Sequence, residues 1–198
     1  APHLLQTLHK KNIENRIEST LEDAIQIRAN AIVANYYNQY KHNQIHNIAV
    51  VILDVKTKNV LAYVGNSPTT KDFQKDVDIV QAPRSTGSIL KPFLFAAMIE
   101  NGSILPESLV ADIPTQISGY KPENFDISYD GAVPAKQALS RSLNIPSVLM
   151  LQEYGVQNFY EDLQFLQLKD INKLADHYGL SLILGGAESS LIDLCTTY

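Results

Sequence analysis

An α+β fold is what this sequence predicts, on three observations. Two short β-runs, Ile48–Leu53 and Val60–Val64, lie together in the first third of the chain. After them come five or six helical stretches and no internal repeat. Strands grouped ahead of helices lack the alternation that builds parallel βαβ units.

Each element has its own local reason. Residues 1–12 read as a linker or a short leading helix. From Ile17 to Tyr40 apolar residues recur at helical spacing, with Ile17, Leu21, Ala24 or Ile25, Ile32 and Tyr36 on one expected inner face. The run Ile48–Leu53 is almost continuously apolar, which predicts burial on both faces. The polar link Asp54-Val55-Lys56-Thr57-Lys58-Asn59 turns the chain into Val60–Val64, giving an antiparallel hairpin. Residues 65–83 read as a loop. A helix is predicted from Ser88 through Ile99, ending at Asn101-Gly102. The Pro-, Gly- and Asp-rich stretch 103–133 reads as irregular. Pro134 is expected to open a helix through Arg141, because proline is favoured at the first helical position. Pro146 opens another to about Tyr154, followed by helices over 156–166 and 189–198.

Composition narrows the classes of function. The 198 residues are 45% hydrophobic and 19% charged, enough for a substantial core. A net charge of −5 with scattered Lys and Arg argues against nucleic acid or an anionic membrane face as the main partner. No apolar run approaches the roughly 20 residues that span a bilayer. The chain begins Ala1-Pro2 rather than with Met, so it reads as a piece excised from a longer protein. Cys195 is the sole cysteine and excludes an internal disulfide or a cysteine-based zinc site. His3, His9, His42, His46 and His177 show no metal spacing. No metal or cofactor is expected.

The chemistry concentrates in two short elements. Ser-x-x-Lys occurs twice, as Ser88-Ile89-Leu90-Lys91 and Ser118-Gly119-Tyr120-Lys121. A lysine amine within reach of a serine hydroxyl can take its proton, and residues three apart share a face of a helical turn. The second match contains Gly119 and precedes Pro122, so it cannot hold a helical turn. The first starts a predicted helix, where backbone N–H groups and the helix dipole favour developing negative charge and form half of an oxyanion hole. Taken alone, the same pattern describes a capping serine and a solvated lysine. Ser142-Leu143-Asn144 follows at the corner between the helices opened by Pro134 and Pro146. Ser and Asn are also ordinary cap and turn residues there.

The two elements belong to one set. Ser-x-x-Lys, a Ser-x-Asn element and Lys-Thr-Gly mark penicillin-recognising enzymes. Arg84–Phe93 resembles the nucleophile helix of bifunctional (class A) penicillin-binding proteins. Tyr120-Lys121-Pro122-Glu123-Asn124-Phe125-Asp126 resembles the segment between their first two motifs, and Ala138–Pro146 their second motif. Tyr178–Glu188 resembles their later helix–loop region, with Gly-Gly-Ala-Glu nearest the 1C type. Ala1-Pro2-His3 resembles the join after their glycosyltransferase domain.

That resemblance implies a partial penicillin-binding, serine β-lactamase-like transpeptidase fold: a linker over 1–12, then an incomplete transpeptidase domain over 13–198. It implies a peptidoglycan D,D-transpeptidase with Ser88 as nucleophile, Lys91 as acylation base, Ser142 as proton relay and Asn144 holding the substrate amide and the lysine. Implied partners are D-Ala-D-Ala stem peptides, β-lactams and a preceding glycosyltransferase domain, on the periplasmic face of a membrane that anchors the parent. The sequence departs from the pattern in one respect: no Lys-Thr-Gly or close variant occurs, since Lys56-Thr57-Lys58 is only the hairpin turn. A C-terminal truncation, without the later strands and the second oxyanion-hole donor, is therefore expected, with impaired catalysis. A D,D-carboxypeptidase, a β-lactamase or a non-catalytic penicillin sensor are the alternatives.

Overall fold

The computed structural model describes residues 1–11 and 16–198. The expected boundary between 12 and 13 lies outside the described residues. In chain order the elements are α1 (Pro2–Lys11), α2 (Asp23–Tyr40), β1 (Val50–Leu53), β2 (Val60–Val64) and β3 (Arg84–Ser85). Then follow α3 (Lys91–Glu100), β4 (Leu109–Asp112), β5 (Gly131–Pro134), α4 (Ala135–Ser140) and α5 (Asn144–Tyr154). The chain closes with α6 (Val156–Phe165), α7 (Ala175–Tyr178), β6 (Glu188–Ser189) and α8 (Leu191–Thr197). It divides into two compact units, residues 1–84 with 190–198, and residues 85–189.

In the first unit β1 and β2 form the expected antiparallel hairpin, with Val50 opposite Val64 and Ile52 opposite Ala62. Two expectations fail there. The long helix begins at Asp23, not near Ile17. Thr20 Oγ1 instead donates to Val60 O (2.7 Å) and the Glu22 N–H to Leu61 O (2.9 Å), so the chain before Asp23 finds its partners on β2. The helix also turns a partly different face inward: Gln26, Ala29 and Val33 are buried and the expected Ile25 packs half-buried beside them, whereas Ile32 and Tyr36 are exposed. Small side chains let the helix approach the strand. Gln26 then completes the packing, because its amide accepts from Tyr63 N (2.8 Å) and donates to Tyr63 O (3.2 Å). An apolar residue there would leave that strand backbone without its partners. Burial follows α2, so Ala62, Tyr63 and Val64 on β2 are buried while β1 is only half-buried, against the expected double-sided burial.

The second unit contains the helices. Leu90, Leu94, Met98, Ile145, Leu151 and Phe159 have no exposed surface and form its centre. Sequence reading missed the short helix α7 and strand β6, with the last helix starting at Leu191 rather than 189, and also a hairpin: β4 and β5 pair antiparallel, Val110 opposite Val133 and Asp112 opposite Gly131, inside the stretch expected to be irregular. These four-residue strands are separated by a long excursion and half of their residues are exposed, and Asp112, Gly131 and Pro134 break any apolar alternation that would announce them. Pro134 closes β5 rather than opening the helix, and the helical residues begin at Ala135. Likewise α5 starts at Asn144, two residues before Pro146. Proline is tolerated so early because the first N–H groups of a helix have no helical partner.

Candidate active site

Ser88 does not lie within α3. It sits in the turn over residues 87–90 that leads into the helix, and Lys91 is the first α-helical residue. The Ile89 N–H donates to Thr86 O and the Lys91 N–H to Ser88 O, both at 3.1 Å. These i→i+3 bonds are of 3₁₀ type, a geometry that places residues three apart over one another. The expected helical start for Ser88 is thus corrected to a 3₁₀-like turn, in which the Ile89 N–H is already bonded.

A second strand of chain braces this turn. Ser85 Oγ donates to Gly185 O (2.8 Å), and Thr86 donates to Ala187 O through its N–H (3.0 Å) and its hydroxyl (3.2 Å). Gly185 has φ +101°, and a Cβ there would stand 2.8 Å from Gly87 N and Cα. Only glycine permits that approach. This gives the Gly-Gly-Ala segment a structural role that the spacing of the motifs alone did not reveal.

Lys91 is buried, 3% exposed. Its Nζ donates to Ser142 O and Asn144 Oδ1, both at 2.8 Å, and contacts Ser142 Oγ and Leu143 O at 3.3 Å. All four acceptors are neutral oxygens. With no carboxylate to stabilise the ammonium, burial lowers the amine from its ordinary 10.5 to about 8. A useful fraction of neutral amine then exists near pH 7–8, as a proton acceptor requires. Among the described residues, no hydrogen bond joins Lys91 Nζ to the exposed Ser88 hydroxyl.

Ser142 and Asn144 reach Lys91 through a helix end. The Ser142 N–H donates to Leu139 O and the Leu143 N–H to Ala138 O, both at 2.9 Å, which is the bond pair of a Schellman motif closing α4. The position after the C-cap usually belongs to glycine, yet here it is Ser142 at φ +55°. A left-handed serine is a strained choice, retained where its carbonyl and hydroxyl face the buried amine. Two residues on, Asn144 opens α5. Its Nδ2 donates to Glu123 O (2.8 Å), which leaves Oδ1 for Lys91.

Behind Asn144 lies a polar cluster that sequence reading did not single out. Asn124 Oδ1 accepts from the N–H groups of Asn144 (2.9 Å) and Ile145 (3.3 Å). Its Nδ2 donates to the fully buried Asp112 and to Ser128 O. Arg141 pairs with Asp130, which together with Asp112 and Asp126 holds the guanidinium above its usual range.

The structure thus brings Lys91, Ser142 and Asn144 into direct contact, with Ser88 one turn before the lysine. The other Ser-x-x-Lys match forms no such group. Ser118 and Gly119 are the two central residues of a tight turn, both at positive φ, with Ile117 and Tyr120 bonded reciprocally at 2.8 Å. Cys195 belongs to α8 of the first unit, its thiol pushed upward by burial. No cluster of three or more His, Cys, Asp or Glu is placed to hold a metal among the described residues, and no helix among them is long and apolar enough to cross a membrane.

Comparison with known proteins gives this geometry its class. The model of the penicillin-binding protein transpeptidase domain matches residues 48–180. The chain belongs to that family. It is 32% identical to penicillin-binding protein 1C of Escherichia coli K12 over 199 residues, covering all of this chain and 26% of that protein. Penicillin-binding protein 1A of Neisseria cinerea is 31% identical, over 75% of this chain and 19% of its own length. Among solved structures, penicillin-binding protein 1A of Haemophilus influenzae superposes with a TM-score of 0.64 at 28% identity, covering 75% of this chain and 22% of that one. The PonA1 protein of Mycobacterium tuberculosis in complex with penicillin V gives a TM-score of 0.72 over 96% of this chain and 51% of its own, at 22% identity, which speaks for the fold alone. The α+β architecture of this chain is therefore that of part of a penicillin-binding transpeptidase.

Proposed function

We propose that this chain carries the acylation half of a peptidoglycan D,D-transpeptidase, with Ser88 as nucleophile and Lys91 as its base. The observation that carries the reading is the buried Lys91 amine, one turn after Ser88 and enclosed by neutral oxygens of Ser142, Leu143 and Asn144. Neutral Lys91 takes the Ser88 proton as Oγ attacks the carbonyl of the penultimate D-Ala of a stem peptide. The tetrahedral adduct collapses, the C–N bond breaks, and the terminal D-Ala leaves with a proton relayed through the Ser142 hydroxyl. The Ser88 ester then passes to an acceptor amine on a neighbouring stem. Asn144 orients Lys91 and presents its amide edge to the substrate backbone.

A β-lactam follows the first half of this path and leaves Ser88 acylated. The partners are thus stem peptides and β-lactams, with a glycosyltransferase domain preceding in the parent, on the outer face of the cytoplasmic membrane. The 198 residues contain no Lys-Thr-Gly triplet. Loss of one oxyanion donor costs roughly a hundred- to thousandfold, so acylation of this chain is expected to be slow by about that factor.

Intact-protein mass spectrometry after long incubation with benzylpenicillin tests the reading. One covalent adduct mapped to Ser88 is expected. Absence of any adduct, or an adduct elsewhere, overturns it.

A further inference from the structure

Asp112, at the end of β4, has no exposed surface and plays no part in the chemistry above. Its Oδ2 accepts from the Asp130 N–H (3.0 Å) and its Oδ1 from Asn124 Nδ2 (2.6 Å). Both Asp112 oxygens accept, so the Asn124 amide turns its NH₂ toward Asp112. The second hydrogen of that NH₂ goes to Ser128 O (2.9 Å). Asn124 Oδ1 is thereby aimed at the first turn of α5, where it accepts from two backbone N–H groups. Leu143, at the N-cap of α5, offers no side-chain cap. The helix start is instead capped from 20 positions away. Amide oxygen and nitrogen have nearly the same shape, so only the pattern of donors and acceptors decides which way Asn124 points.

We propose that Asp112, acting through Asn124, is a positioning residue for the Lys91 site. It sets the direction of the Asn124 amide, which anchors the start of α5 so that Leu143 O and Asn144 Oδ1 face Lys91 Nζ. Asp112 touches neither substrate nor reacting atoms. The inference rests on the reading of Lys91 as the acylation base, but its test does not depend on turnover.

The test follows two quantities in the whole chain: amide hydrogen exchange at Asn144 and Ile145, and the titration midpoint of Lys91 read by NMR of isotope-labelled lysine. In Asp112→Asn the new amide both donates and accepts, so Asn124 is free to flip and present NH₂ to the two N–H groups. Exchange at Asn144 and Ile145 is expected to accelerate at least about tenfold. The Lys91 midpoint is expected to move upward from about 8 as water reaches the amine.

The double variant Asp112→Asn/Asn124→Asp reverses the donor–acceptor order along the chain. The amide at 112 then accepts from Asp130 and donates to a carboxylate at 124 that caps α5, while the Ser128 carbonyl loses its bond and faces an acceptor. Exchange at Asn144 and Ile145 is expected to return toward wild type, and it is the readout that decides for the swap, because a carboxylate at 124 itself favours the Lys91 ammonium. A folded Asp112→Asn variant with unchanged exchange and an unchanged midpoint overturns the proposal. If that single variant does not fold, the swap decides: a folded swap with wild-type-like exchange at Asn144 and Ile145 supports it. A swap that is equally unfolded, or folded with fast exchange, overturns it. Failure of the catalytic reading shows differently, as a wild-type chain that forms no Ser88 adduct while these amide and lysine readouts behave as stated.

Discussion

The same four-residue spelling, serine and lysine three apart, folds in this chain into two opposite environments. At Ser118–Lys121 it forms a two-residue turn with both central φ values positive, and Lys121 is exposed and paired with Glu123 at 3.3 Å. A solvated pair of that kind contributes about 0–1 kcal/mol and leaves the amine hydrated. At Ser88–Lys91 a 3₁₀-like turn runs into a helix, and the amine is buried among four neutral oxygens. The spacing is identical, so spacing is not what activates a lysine. Desolvation without a counter-charge does, and it needs a second segment, residues 142–144, folded against the first.

The sharpest way to break this comparison is to remove the hydroxyls in turn. Ser88→Ala should reduce β-lactam acylation by on the order of a thousandfold or more, whereas Ser118→Ala should leave the rate untouched. Quantified adduct formation reads both, and equal behaviour of the two variants would erase the distinction.

Next in size are the lysines. Lys91→Met should cost about 10²–10⁴-fold in acylation, as loss of a positioned base does, with Lys121→Met silent. The wild-type rate should also depend on pH in a stated direction. Lys91 is lowered to about 8, and in the proposed role it acts as the neutral amine, so the rate climbs as pH rises and levels off above about 8. Near pH 7 about one molecule in ten carries the neutral form. A flat profile through pH 8 would remove Lys91 from the role of base.

Two glycines sharpen the contrast at the level of backbone. Gly185 combines φ +101° with atoms 2.6–2.8 Å from where a methyl group would sit, while Gly119 has φ +88° and open space. Gly185→Ala should therefore destabilise by about 2–3 kcal/mol and slow acylation by displacing the turn before Ser88. Gly119→Ala should cost only about 1 kcal/mol. Urea unfolding separates them, and equal losses would mean that the 185–187 segment does not brace the turn before Lys91.

The smallest expected effect concerns Ser142. Its φ of +55° suits glycine better than any other residue. Ser142→Gly should be more stable than Ser142→Ala by about 1 kcal/mol, although both lose the hydroxyl and acylate more slowly. Paired denaturation curves check this, and a more stable alanine variant would show that the residue carries no strain.

How far the site was readable follows from where its information lies. Ser88, Lys91, Ser142 and Asn144 could be proposed from spacing, predicted helix starts and family resemblance, because each sits at a local element boundary. Asn124 and Asp112 could not, although Asn124 stands in a segment whose resemblance was noted. Their part depends on hydrogen bonds to residues 12–21 positions away, across a hairpin of four-residue strands that no periodicity betrays. The inner face of α2 was misread for a related reason. Counting apolar residues favours Ile32 and Tyr36, but close packing on β2 selects Ala29 and Val33 and calls for the amide of Gln26.

By itself, then, the sequence determined what local chemistry can specify: the first hairpin, most helix positions, the rejection of Ser118–Lys121 through Gly119 and Pro122, and the residue types able to perform acylation. Tertiary structure alone decided which lysine is desolvated, how a strained Ser142 closes α4 toward it, and which way Asn124 points. The physical reason is that helix starts and turns are set by a few neighbouring residues. A lowered amine and an oriented amide depend instead on which distant oxygens the fold brings within about 3 Å and on how completely it excludes water.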